Sequence, residues 1–238
     1  MLPRGENDAG CVDLPDIEVE TVVDPLHVCI FMGPLSVYLL LIGGLNLSAR
    51  PFLTTGGRDT GALGLAISGF IVGGPMELFL PQTAAVHFGG LVWLMLIAFY
   101  ALLIVLLILL QRPRLVVYNT TPDQLRPILA DLVVELDPDA RWAGECLALP
   151  KLGIQLHLES FSALRNVQLV SSGPRQSFAG WRRLETALAE AIRGVHGEPN
   201  RYGVRLVVLG LLGVALVTFC VVNDSQGVAY ALREMLRL

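Results

Sequence analysis

At 238 residues, with 53% hydrophobic and only 16% charged side chains and a mean hydropathy of +0.60, the chain is too apolar for an ordinary soluble domain and too polar to be membrane helix throughout. Its net charge of −4 sums unlike parts: residues 1–27 hold seven acids against Arg4, whereas residues 112–201 hold eleven bases and ten acids, which excludes the basic footprint of a nucleic-acid binder. The four cysteines (Cys11, Cys29, Cys146, Cys220) are scattered, form no C-x-x-C pair and have no histidine at metal-ligand spacing, so no disulfide framework, metal or cofactor is expected.

Residues 1–27 show almost no apolar periodicity and read as a solvated acidic arm. A signal peptide would carry a basic start, which is missing, so no cleavage is expected. The first span is predicted at residues 28–47, with Pro34 inside it as a source of a kink. The second is predicted at residues 62–80. Its Gly64/Ser68 and Gly69/Gly73 pairs are four apart, a spacing that lets a second helix approach closely, either from this chain or from another copy. Glu77, near the end of this span, is the only acid within any span. A charge there suits either an interfacial position or a polar path, and His87 across the following turn is a candidate partner. Gly33-Pro34 and Gly74-Pro75 begin similar heptapeptides, a weak hint of a repeat.

The third span, residues 86–110, is uncharged throughout and would be roughly 37 Å long as a helix, enough to cross a ~30 Å hydrocarbon layer with some tilt. Arg112 and Arg114 stop it. Residues 111–200 then read as a small soluble α+β domain in the order β-α-β-β-β-α. Leu115–Tyr118 is its first strand, and Thr121-Pro122-Asp123-Gln124 opens a helix that carries Leu125, Ile128, Leu129, Leu132, Val133 and Leu136 on one stripe. Three strands follow, at Trp142–Leu149, around Ile154–Glu159 and at Asn166–Val170. A helix from Phe178 to Arg193 closes the domain, with Trp181 on its apolar face and Gly194 at the C′ position. The fourth span is predicted at residues 203–222, and residues 226–238 form an amphipathic helix suited to a membrane surface.

Arginines cluster in the first loop (Arg50, Arg58) and at the two connections of the domain (Arg112, Arg114, Arg201, Arg205), which predicts a cytoplasmic first loop and domain and an outside arm. Arg233 and Arg237 in the tail argue mildly against that orientation. Sixteen of the seventeen basic residues are Arg, a bias of GC-rich genomes that suggests a bacterial inner membrane.

No nucleotide-binding, zinc-protease or serine-hydrolase motif is present. His157 and Glu159 share a strand face but are too few for a metal, and a polar loop before the Trp181 helix, with Arg175 and Arg182 nearby, is a weak anion-site candidate. The expectation is therefore a non-enzymatic, multi-pass membrane protein: four transmembrane helices with the inserted domain, acting as a scaffold, assembly or regulatory subunit. Its contacts would be the lipid bilayer and a protein partner or second copy met through the small-residue helix faces. The alternative is a small transporter or channel component with Glu77 and His87 in a polar path.

Overall fold

The computed structural model describes residues 24–48, 50–79, 87–161, 165–174, 176–195 and 200–236. The acidic arm up to residue 23, the turn at 80–86 and Arg175 lie outside these. The end of the presumed arm is already helix. Asp24 accepts a hydrogen bond from the Leu26 N–H at 2.9 Å and Pro25 takes the first helical position, so α1 runs Pro25–Leu47 rather than from residue 28. Pro34 sits inside this helix and cannot donate to the carbonyl of Ile30. That carbonyl faces Gly69, where a Cβ would collide with it.

A strand that periodicity did not reveal comes after α1: β1, Phe52–Thr55, lies in the loop between the first two helices. Thr55 then caps α2, Gly56–Ile71, by accepting from the Arg58 N–H. The helix starts before the expected residue 62, because its first turn is polar and hydropathy registers only the apolar turns beyond it. A π-turn over Val72–Met76 continues it, and helical backbone persists to Leu78. Gly33-Pro34 thus lies in regular helix and Gly74-Pro75 in a π-turn, so the two matching heptapeptides differ in structure. The next helix, α3, spans Leu91–Leu110. It begins later than residue 86 because Gly89 adopts a φ of 51°, outside helical geometry.

The sheet unit comes next: β2 (Arg114–Tyr118), α4 (Pro122–Leu136), β3 (Arg141–Ala143), β4 (Cys146–Leu149), β5 (Ile154–Phe161), β6 (Asn166–Ser171) and α5 (Phe178–Ala191). The expected single strand at 142–149 is a hairpin. Gly144 at φ 64° turns the chain there, and the order is β-α-β-β-β-β-α rather than β-α-β-β-β-α. Gly194 ends a short 3₁₀ turn and is not a left-handed cap. All six strands are antiparallel, in the order β1-β2-β6-β5-β4-β3. Leu125, Leu129 and Val133 of α4 and Trp181, Leu184 and Leu188 of α5 form one core with Val117, Leu147, Leu156 and Leu169 of the sheet.

The chain closes with α6, Arg201–Asn223, and α7, Ser225–Leu236. Among the described residues three helices, α1, α3 and α6, are long and apolar enough to cross a membrane. Packing is strongest between α6 and α1, then α1 and α2, then α2 and α3, so the helical segments are arranged as a row. Glycines set the first contact. A Cβ on Gly210 would lie 2.8 Å from Leu40 Cγ, and one on Gly43 would lie 2.7 Å from Val207 Cγ2. The same pair is clasped at one end by buried asparagines. The Asn200 N–H donates to the Asn46 carbonyl at 2.9 Å and its side-chain amide donates to Asn46 Oδ1 at 3.2 Å. Satisfied buried amides of this kind fix a register that apolar side chains leave free to slide.

Candidate functional site

Two polar clusters stand at opposite ends of α2. The first joins the helices to the sheet. Arg114, at the start of β2, donates to Thr60 Oγ1 (3.2 Å) and Gln168 Oε1 (3.4 Å) and pairs with Asp59 at 3.5 Å. Tyr118 donates its hydroxyl to Asp59 at 2.6 Å, and Gln111 bonds Thr60 from the end of α3. Burial, reinforced by the hydrogen bond to Asp59, pushes the Tyr118 hydroxyl well above the ordinary tyrosine range, so it stays a donor. Gly56 leaves the room in which the Arg114 side chain lies. The first turn of α2, the end of α3 and two central strands are thereby one polar junction.

The second cluster holds Glu77. Its carboxylate lies 2.6 Å from Nε2 of His27, and Nδ1 of the same ring lies 3.2 Å from Asp24. Among the described residues no hydrogen bond or ion pair joins Glu77 to His87, whose side chain is exposed. Thus α1 supplies the partner instead of the following turn. The His27 ring sits 5.9 Å from that of Phe31, which stacks on Phe70 at 5.3 Å. A groove of about 550 Å³ beside the pair is lined by His27, Gly73, Gly74, Glu77 and Leu78. π-Turns widen a helix by one residue per turn and recur at functional sites. Here the turn brings Glu77 round to α1. The sequence held a signal for His27: Asp24-Pro25 is a helix start, which moves His27 from a solvated arm to the first helical turn.

The small residues of α2 serve two neighbours of the same chain. Gly69 and Gly73 meet α1 at Ile30 and Phe31, whereas Gly64 meets Ile104 of α3 and gives its carbonyl to Tyr100 Oη at 2.7 Å. The Ser68 hydroxyl returns to the Leu65 carbonyl at 2.8 Å. His157 and Glu159 form a surface pair at 2.6 Å on β5, and no group of three ligands able to hold a metal ion occurs among the described residues. Of the expected anion pair, Arg175 lies outside the described residues. Arg182 is exposed on α5, whose N-terminus is capped by Ser177, and it shares a groove with Arg58, Arg112 and Arg114. Trp181 is buried, with its indole N–H bonded to Gln176 at 3.0 Å, and serves the core.

At the far end from the sheet, the Trp93 indole N–H donates to the Met235 carbonyl at 2.8 Å, which pins α7 beside the start of α3. No known protein family, curated protein or solved structure matches this chain.

Proposed function

We propose that the chain is a non-enzymatic, four-span membrane subunit that holds a cytoplasmic sheet unit rigidly against the bilayer and acts as a scaffold, assembly or regulatory component. The observation that carries this reading is β1. It lies between α1 and α2, yet it pairs antiparallel with β2, which directly follows α3. An enzyme domain merely anchored to a membrane needs only a tether. A sheet whose edge is made from a loop between spans transmits the position of the helices to the sheet, and the reverse. The same pairing supports the expected topology, because it keeps the first loop and the sheet unit on one side. For the fourth crossing, α2 and its π-turn provide helical backbone from Gly56 to Leu78.

The test is purification of the full chain from its own membranes in mild detergent, with particle mass and bound proteins determined. A stoichiometric protein partner is expected. A lone chain with no partner under several mild detergents would overturn the reading.

The His27–Glu77 pair beside the π-turn favours a second reading, a transporter or channel component. Against it, the interior of α1 offers Ser36, whose hydroxyl is already bonded to the Met32 carbonyl at 2.5 Å, and no further charged group continues inward from Glu77 among the described residues of the spans.

A further inference from the structure

Where α3 ends, a groove of about 570 Å³ opens between the first turn of α2, the last turn of α3 and the first turns of α5. That volume falls within the roughly 300–1,000 Å³ of small-molecule clefts, enough for a headgroup and too little for a folded partner. Arg58, Arg112, Arg114 and Arg182 line it, with Glu185 as the single carboxylate among the described lining residues. Arg114 is committed to Asp59, Thr60 and Gln168. The side chains of Arg58, Arg112 and Arg182 are exposed, and none has a carboxylate at ion-pair distance among the described residues. These cations come from α2, the α3–β2 link and α5, so one groove collects charge that no single helix face would.

The other wall is apolar. Ile108 and Leu109 belong to the last turn of a helix apolar enough to cross a bilayer, and Phe178, 75% exposed, stands opposite on α5. In the membrane-spanning arrangement proposed above, on which this inference rests, the groove lies at the level where hydrocarbon gives way to headgroups. The Gly56 and Gly57 N–H groups at the start of α2 have no intrahelical acceptor, since Thr55 serves Arg58, and they add donors on the same wall.

We propose that this groove is a binding site for the phosphate of an anionic glycerophospholipid. The guanidinium groups of Arg58, Arg112 and Arg182 take the phosphodiester oxygens, and Ile108, Leu109 and Phe178 cover the first methylenes of the acyl chains. A soluble phosphate would use only the polar half of this lining, and a zwitterionic lipid would bring its own cation into a basic groove. Basic pockets at the headgroup level of membrane helices hold acidic lipids for this reason.

The test uses the full chain in a neutral maltoside detergent, titrated with dioleoyl phosphatidylglycerol, dioleoyl phosphatidylcholine or inorganic phosphate, and read by thermal shift and native mass spectrometry. Phosphatidylglycerol is expected to raise the melting temperature and remain bound, whereas phosphatidylcholine and inorganic phosphate do neither. The R58Q/R112Q/R182Q variant should lose about a hundredfold in affinity and Arg182→Gln alone about fivefold. R58K/R112K/R182K, which keeps the charge, should retain binding, as should Arg233→Gln on the distant α7. Equal binding of the two lipids, or an unchanged affinity in the Gln variants, overturns the proposal. An equal response to inorganic phosphate overturns the lipid assignment and leaves a soluble-anion site. Should the triple Gln variant lose its circular dichroism signal, Arg182→Gln on the surface of α5 and the Lys variant decide the question.

Discussion

Tyr118 and Glu77 both carry a short polar contact, yet burial separates what each contributes. Tyr118 is 5% exposed and bonds a carboxylate, so removing its hydroxyl leaves Asp59 to Arg114 alone. Hydrogen bonds to charged groups contribute about 1.5–3 kcal/mol, and Tyr118→Phe should lose an amount of that order in thermal unfolding at neutral pH. The pH dependence comes from the raised tyrosine: the folded chain holds this proton harder than the unfolded one. Its contribution is therefore full below the ordinary tyrosine pKa of about 10 and is lost as the pH rises past it. The gap between wild type and Tyr118→Phe should narrow above about pH 10. A gap constant from pH 7 to 11 would refute the buried hydrogen bond. Glu77 is a different case, because the side chains of the pair are 37% and 26% exposed. Exposed pairs contribute about 0–1 kcal/mol. Glu77→Gln should lower the melting temperature by no more than about 4 °C and leave the recovered partners unchanged. Abolished solute uptake in a folded Glu77→Gln protein would instead favour the transporter reading.

At the scale of elements, the α1–α6 contact is set by what its glycines lack. Gly210 sits against Leu40, whereas Gly44 on α1 has nothing within 4 Å of the place a Cβ would take. Overpacking a close contact costs about 1–3 kcal/mol. Gly210→Val should therefore lower the melting temperature in detergent by several degrees, while Gly44→Val, on an exposed face, should leave it almost unchanged; equal effects would show that helix propensity and not packing is being measured. This contrast also marks how far the sequence is legible. Long uncharged runs such as Leu91–Leu110 and a capped stripe such as Pro122–Leu136 declare themselves, because hydrophobicity and capping are local. Phe52–Thr55 does not: four residues in a loop become a strand only because Arg114–Tyr118 offers an edge across the fold. The same limit hides the His27–Glu77 pair, whose members are 50 positions apart, and the basic groove, whose arginines come from α2, the α3–β2 link, β2 and α5. Gly144 is legible as a turn residue, yet the strand propensity around Trp142–Leu149 outweighs it, and the hairpin reads as one strand.

On the scale of the whole molecule, orientation depends on how the ends of the helices are tied. The pairing of β1 with β2 holds the loop after α1 on the side of the sheet unit, and the Asn46–Asn200 clasp holds the start of α6 there too. Arg50, Arg58, Arg112, Arg114, Arg201 and Arg205 all belong to that side, the one that the proposed topology, by the charge rule, puts in the cytoplasm. In the proposed four-span arrangement, alternation carries the acidic arm, the His27–Glu77 pair and α7 to the opposite side. Native cysteines provide the readout. Cys146 is exposed on β4 within the sheet unit, whereas Cys29 and Cys220 lie half-buried within helices. Cys11 belongs to the acidic arm. In a Cys11→Ser background, a membrane-impermeant maleimide should label Cys146 in inverted vesicles and not in intact cells. In a Cys146→Ser background, Cys11 should show the reverse. Labelling of Cys146 from outside would turn the molecule over, and with it the leaflet whose lipids reach the basic groove. Labelling of both cysteines from the same side would remove a crossing between the arm and the sheet unit and overturn the four-span arrangement.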